Sequence, residues 1–547
     1  MSDAAEIATL RPLAAVVLPA LVVFAVALAD RRPNLREAVS LVGSLATFAV
    51  VASMLPGVLE GRTYVTHLGT FATDIEFAFR ADPLGLMFGT VASGLWVVTA
   101  VYSAGYLRGL EKDHQTRFFA ALALSIAAAM GVAFAANLLV LVLFYELMTV
   151  GTYPLVAHDG TERARQVGYK YLAYVLGGGT LAVGGTLLVF YLAGSVTFAP
   201  GGIDALASAA SEDTWLARIA FGLLAAGFGV KAAVMPLHAW LPSAMVAPTP
   251  VSGLLHAVAV VKSGAFALAR VVLEVYGPVT TEALGLAAPL AGVAAATILL
   301  GSLLALRQDD LKRRLAYSTI AQLSFIVLGV ALLTPSAVVG GLVHLPAHAV
   351  GKLTLFFCAG ALAVECDTKK ISEMAGIGRR MPLTMAAFAV GAFSLASIPL
   401  FAGFVSKWHL LLGSAEAGQP LVLALFVVSG GLNVAYFWPI VYTAFFEGED
   451  ADPKPVLEGP LGGARADGGD ARTKSRTPVA ARLDGGDRTA SSGWERRPWT
   501  GAETTWLLLG PILAVSALVL AIGVAADWLF VLEVARLVAE NAGVTEP

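Results

Sequence analysis

Residues Phe221–Ala244 read FGLLAAGFGVKAAVMPLHAWLPSA. The first ten are apolar or glycine, as a bilayer-crossing helix requires, but Lys231 follows at once, and then Pro236 and His238. A charge at the bilayer centre costs about 2.5–3.5 kcal/mol on insertion scales. A proline removes one hydrogen bond from the helix it interrupts. Either this stretch never meets lipid, or its polar residues have a use there.

Composition decides between the two. The chain is 57 % hydrophobic and 14 % charged, with a mean hydropathy of +0.76. A water-soluble domain this apolar could not cover its surface, so the bilayer must solvate most of it. The net charge of −3 does not point to nucleic acid. Cys358 and Cys366 are the only cysteines, which speaks against a disulfide framework, a zinc site or an iron–sulfur site. No Gly-rich dinucleotide fingerprint follows a strand-like run. No metal and no cofactor is therefore expected.

Apolar runs of about 20 residues, the length that spans hydrocarbon, can be placed along almost the whole chain. They predict an all-α polytopic membrane protein of about 14 spans. The first, starting near Leu10, has no basic leader and is read as a retained span. RTYVTHLGTFATDIEFAFRADP (Arg62–Pro83), between the second and third spans, alternates weakly and predicts a short hairpin outside the lipid. Residues 1–117 thus hold three N-terminal helices and that hairpin. Residues 447–500, rich in Gly, Asp, Arg and Ser, predict a disordered cytoplasmic linker, and 501–547 a C-terminal fourteenth helix.

Basic residues accumulate after odd-numbered spans, at Arg31, Arg32 and Arg36, at Arg108, Lys112 and Arg117, and at Arg163, Arg165 and Lys170. Later odd loops add Arg307, Lys312, Arg313 and Arg314, then Lys369, Lys370, Arg379 and Arg380. The positive-inside rule puts these loops in the cytoplasm and both termini outside.

Other ionisable groups lie inside apolar runs. They are Glu146, Lys231, His238, His256, Lys262, His344, His348, Lys352 and Lys407. A lysine near a span end can snorkel, and a histidine can simply tie helices together. Arg270, Glu274 and His409, near helix ends, fit that structural reading. Glu146, Lys231, Lys262, His348 and Lys407 do not, because apolar residues flank them for a turn or more. His344, His348 and Lys352 recur every fourth residue and predict one polar helix face. Lys231 and His238, seven apart, would share a face too. His256 and Lys262 point apart and should meet different neighbours.

Pro236 would free the carbonyl of Ala232, and Pro399 that of Leu395. Freed carbonyls are tolerated at membrane depth only against protein or water. The seventh and twelfth spans are therefore predicted to be broken helices, each with a lysine near its break. They stand five spans apart. Two five-helix repeats, 118–278 and 279–446, would then be inverted relative to each other, a transporter pattern.

NLLVLVLFYELMTVGTYPLV (137–156), KAAVMPLHAWLPSAMVAPTPVSGLLHAVAVVKSG (231–264), DLKRRLAYSTIAQLSF (310–325), HLPAHAVGKLTLFFCAGAL (344–362) and IPLFAGFVSKW (398–408) carry a resemblance. Together they resemble the antiporter-like membrane subunits of respiratory complex I, Mrp-type cation/proton antiporters and membrane-bound hydrogenases. The likeness runs roughly from Leu84 to Phe446. It implies a relay of titratable groups through the membrane, with Glu146 as the fifth-helix glutamate and Lys231 as its seventh-helix partner. It further implies Lys262 as the eighth-helix lysine, His344, His348 and Lys352 as the eleventh-helix polar face, and Lys407 as the terminal residue on the twelfth. The expected partners are other subunits of a hetero-oligomeric complex, protons, Na+ and the lipid bilayer, in the plasma membrane of a prokaryote. The short stretch after the last span favours the D-type Mrp subunits within this group. The other readings are a redox-driven complex of the same architecture and a scaffold without transport.

Overall fold

The computed structural model describes residues 6–72, 75–448, 503–527 and 529–545. Twelve helices among them are long and apolar enough to cross a membrane. The expected linker lies outside the described residues, except Glu447 and Gly448.

The chain opens with β1 (Glu6–Ala8), then α1 (Arg11–Leu28) and α2 (Pro33–Ala52). The expected hairpin is present as β2 (Thr63–Ala72) and β3 (Ile75–Ala81), paired antiparallel. One strand was not foreseen: β1 adds to β2 in parallel, through Glu6–Thr63 and Ala8–Val65. Three residues are too few to show an alternation. Phe79 and Ala135 form a further bridge, which seats the sheet against the ends of the next helices.

Those helices are α3 (Pro83–Gly109), α4 (Gln115–Phe134), α5 (Leu138–Val156), α6 (Glu162–Ala193) and α7 (Thr214–Lys231). Short polar residues set several starts, as N-caps do. Asp82 accepts from Gly85 N, Asn137 from Val140 N, Thr161 from Ala164 N and Asp213 from Leu216 N. Gly194, at φ 65°, ends α6 in the left-handed conformation that suits glycine.

The seventh segment is broken, as its proline predicts. α7 stops at Lys231, and the chain turns through Ala233 (φ 56°) before a four-residue helix, Trp240–Ser243. The eighth segment is uneven too. Thr249–Gly253 is followed by a π turn, then α8 (Val260–Arg270), then a second π turn. The wide turns close through Ala259 N to Leu254 O and Tyr276 N to Val271 O, both at 3.0 Å.

α9 (Ala287–Leu306), α10 (Leu311–Ala331) and α11 (Pro335–Glu365) follow. α10 and α11 are 94 % buried over their most apolar windows, against 33 % for α9. They form the centre of the molecule. The twelfth segment breaks between α12 (Pro382–Leu395) and α13 (Ala402–Glu416), with Pro399 in the gap and Ser397 and Leu400 at positive φ. α14 (Pro420–Phe446) follows. The C-terminal part holds two helices where one was expected, α15 (Trp506–Ala525) and α16 (Val531–Asn541), and both pack against α3 and α11. The last is amphipathic and too short to span.

Candidate functional site

Glu146 and Lys231 come together where α5, α6 and the end of α7 meet. The Lys231 amine donates to the backbone carbonyl of Tyr145, one residue before Glu146, and stands 3.4 Å from the centroid of the Tyr145 ring. No ion pair joins Lys231 to Glu146. The expected direct pairing is thus replaced by a carbonyl and a ring face, both of which attract a cation. Glu146 is only partly buried, and its Oε1 has no hydrogen-bond partner. Gly179 on α6 makes room for the carboxylate, since a Cβ there would lie 2.0 Å from Oε1. The sequence did hold that signal, the run Gly177–Gly179, but glycines in a membrane helix more often serve helix packing.

Lys231 abuts the eighth segment backbone to backbone. A Cβ on Gly264 would lie 2.8 Å from the carbonyl carbon of Lys231. Two residues away, the Lys262 amine meets His348 Nδ1 at 2.7 Å. His348 and His344, one turn apart on α11, have ring centroids 5.8 Å apart. His344 Nδ1 meets Ser406 Oγ at 2.8 Å. Its neighbour Lys407 donates to the carbonyl of Leu395 at 2.7 Å. That carbonyl is the one Pro399 was expected to free. The broken helix thus presents its negative end to a lysine, the favourable arrangement for a helix dipole.

Lys262, His344, His348 and Lys407 are all fully or almost fully buried. They form one series of contacts across α8, α11 and α13. Ser406 is the link that sequence reasoning missed. A buried helical serine most often bonds its own backbone, and Ser406 does so as well, to Gly403 O.

Three candidates stand apart from this series. Lys352 lies on the histidine side of α11 but turns to the carbonyl of Leu315 on α10, at 2.9 Å. His256 sits in the π turn against the Phe356 ring, at 4.8 Å, with neither nitrogen hydrogen-bonded. It meets other neighbours than Lys262, as its spacing implied. His238 does not share a face with Lys231, because the helix ends between them. It is half-buried and faces Tyr317 at 6.3 Å. Pro236 and Pro399 are exposed in the two breaks.

A second cluster of charge contains Arg270 and Glu274, which the sequence offered only as helix-end residues. Arg270, fully buried, donates to both oxygens of Asp82, at 2.7 and 2.8 Å, and also to Glu274. Arg80 donates to Asp82 at 3.2 Å and to the carbonyl of Phe198 at 2.8 Å. Two arginines against two carboxylates leave no net charge, so this cluster fastens the hairpin to the eighth segment. Among the described residues no group of His, Cys, Asp and Glu is arranged to hold a metal ion.

Comparison with known proteins agrees with this architecture. Residues 135–433 match the family described as NADH:quinone oxidoreductase/Mrp antiporter, TM. NADH-quinone oxidoreductase subunit N of Desulforudis audaxviator is 36 % identical over 376 residues, covering 66 % of this chain and 73 % of that one. A probable K(+)/H(+) antiporter A/B subunit of Rhizobium meliloti is 32 % identical over 436 residues, covering 76 % of this chain. This chain spans 42 % of that longer relative. In fold, the chain is similar to a chain of the Mrp complex of Dietzia sp. DQ12-45-1b, with a TM-score of 0.78, 24 % identity and 98 % of each chain covered. It is similar as well to a chain of the archaeal membrane-bound sulfane sulfur reductase, with a TM-score of 0.77, 21 % identity, and 98 % of this chain and 100 % of that one covered. A multi-pass helical core, two interrupted helices and the match over residues 135–433 lead to one assignment: the chain belongs to the NADH:quinone oxidoreductase/Mrp antiporter transmembrane family.

Proposed function

We propose that this chain is the proton-translocating membrane subunit of a multi-subunit monovalent cation/proton antiporter, of the Mrp D type. The observation that carries the reading is the contact series from Lys262 through His348, His344 and Ser406 to the Lys407–Leu395 contact. The four titratable groups of this series, Lys262, His348, His344 and Lys407, have no role in packing at membrane depth that apolar residues would not fill better. The partners are the other subunits of the complex. The cation is Na+, the location is a prokaryotic plasma membrane, and the basic loops after odd-numbered spans face the cytoplasm with both termini outside.

In this mechanism Glu146 collects a proton, or a countercharge, at the edge of the chain. Its charge acts on Lys231, whose amine is already held beside it by the Tyr145 carbonyl. When Glu146 loses its negative charge, Lys231 binds its proton less tightly, and the proton moves toward Lys262. His348 accepts from Lys262 and passes on to His344, a side chain suited to the step because imidazole ordinarily titrates near neutrality. Ser406 hands the proton to Lys407, which exchanges with water. Gaps beyond hydrogen-bond reach are bridged by water.

A second reading places the same relay in a redox-driven complex. It is favoured by the likeness to a quinone oxidoreductase subunit N.

Exchange in everted vesicles containing the whole complex, with sodium and potassium tested separately, distinguishes these readings from a scaffold. Glu146→Ala and Lys231→Ala should each nearly abolish pH-gradient-driven exchange while the complex still assembles. Normal exchange in both variants refutes the relay. Exchange driven by neither cation, with proton pumping restored by an electron donor, selects the redox reading.

A further inference from the structure

The motif DLKRRLAYSTIAQLSF holds three side chains that the Lys262–Lys407 series does not use: Ser318, Gln322 and Phe325, all on α10. α14 runs antiparallel to α10 here and brings matching residues to each of them. Gln322 Nε2 donates to Asn433 Oδ1 at 3.1 Å. The Tyr436 hydroxyl donates to the same oxygen, and the hydroxyls of Ser318 and Tyr436 are 2.9 Å apart. One turn further along α10, Arg314 Nη1 donates to the carbonyl of Tyr436 at 3.0 Å and Nε to that of Gln308 at 2.9 Å. Gln308 lies just beyond α9, in the basic loop that joins it to α10. A column of polar groups therefore runs from mid-helix to the face bearing Arg307 and Lys312.

At its inner end the column stops against two rings. Phe325, one turn past Gln322, stacks on Phe426 with centroids 5.3 Å apart and planes at 19°. Phe325 also faces Lys407, whose amine is 4.7 Å from the ring centroid, and His344 at 5.5 Å. Both rings are buried. The Phe325 ring thus joins the level of Gln322 on α10 to Lys407 and His344, with Phe426 stacked against it.

The column is also under-satisfied. Gln322 Oε1, Asn433 Nδ2 and Ser429 Oγ are buried in residues of 0 % exposure, and none is hydrogen-bonded to protein. Buried amides and hydroxyls in this state are unfavourable unless water meets them. Asn433 and Ser429 lie one turn apart on α14, so the unmet groups follow one line. The column contains no carboxylate to bind a metal cation. The guanidinium of Arg314 at its mouth repels one, with Asp309 close enough to offset part of that charge. Its chemistry suits water and protons.

We propose that the Gln322–Asn433–Tyr436–Ser318 column is a proton passage between Lys407 and the basic-loop face, closed by the stacked rings of Phe325 and Phe426. When the rings part, the Lys407 ammonium gives its proton to water in the column and is left as a neutral amine. The proton leaves by hopping past the two hydroxyls. An apolar constriction that opens by wetting is a recognised gating device. This proposal rests on the relay reading for its direction of use, but its test does not need exchange.

The test is made on the purified complex with the full chain in liposomes, reading passive proton leak with no exchangeable cation and exchange separately. Phe325→Ala should raise the leak severalfold, and adding Asn433→Leu should return it to the wild-type level. Asn433→Leu alone should lower exchange severalfold. Phe426→Ala removes the other ring and should leak in the same way, so the test stands if Phe325→Ala fails to assemble. An unchanged leak in both ring variants overturns the closure. A raised leak that persists in Phe325→Ala/Asn433→Leu overturns the column as its path. Normal exchange in Glu146→Ala would remove the relay while leaving the leak result as it is.

Discussion

Gly179 leaves its Cβ position to the carboxylate of Glu146. The atoms nearest to an alanine Cβ there belong to the far end of a flexible side chain, so the carboxylate moves rather than the helices. Gly179→Ala should assemble normally and lower exchange by about tenfold or more, since a displacement near 1 Å at a reacting group can cost that much. Gly184→Ala, where the added carbon would meet only Leu223 at 3.7 Å, is the matched control and should exchange normally. At this scale the charged residues were legible because each breaks an apolar run. Ser406 was not, since nothing in the sequence separates a bridging serine from one bonded to its own helix. His238 misled for a physical reason: helical spacing was applied across a point where the helix ends.

The eighth segment depends on a buried ion cluster for its position. Arg270 without its guanidinium would leave Asp82 and Glu274 buried without their main counter-ion. Arg270→Ala should therefore destabilise the protein by about 3–5 kcal/mol, the range for breaking a buried pair from one side. Thermal unfolding of the purified complex in detergent reads this as a lowered midpoint, and the double variant Asp82→Asn/Arg270→Ala should recover part of it. The interruptions of the seventh and twelfth segments could be read from Pro236 and Pro399, since proline acts through the covalent chain. The π turns around His256 and Glu274 could not, because no residue type encodes a wide turn. The strand β1 was missed for want of length. The hairpin it joins was found from its alternation.

The whole molecule is closed by its C-terminal part. Glu503 accepts from Leu383 N at 2.9 Å, and from Thr384 N and Thr384 Oγ1 at 2.6 Å each, at the start of α12. Arg380 donates to the Glu503 carbonyl, and Thr504 to Glu365. A carboxylate capping a helix start from another part of the chain fixes where α15 returns. Glu503→Ala should lower stability by about 1–2 kcal/mol, as loss of a cap does, and the thermal midpoint should fall accordingly. The many-span architecture was open to reading from hydropathy alone, because lipid demands it of any chain this apolar. The centrality of α10 and α11 was not, since inside a bilayer a buried helix and a lipid-facing one are nearly alike in composition. One detail of the site bears on how the assembled protein can cycle. Lys231, Lys352 and Lys407 each rest on a backbone carbonyl. A primary amine still has N–H groups to offer that oxygen after its ammonium has discharged, and it gains a lone pair directed elsewhere. In the relay proposed above, Lys231 and Lys407 therefore empty and refill without losing their anchors, so successive turnovers begin from the same geometry with no rebuilding step between them.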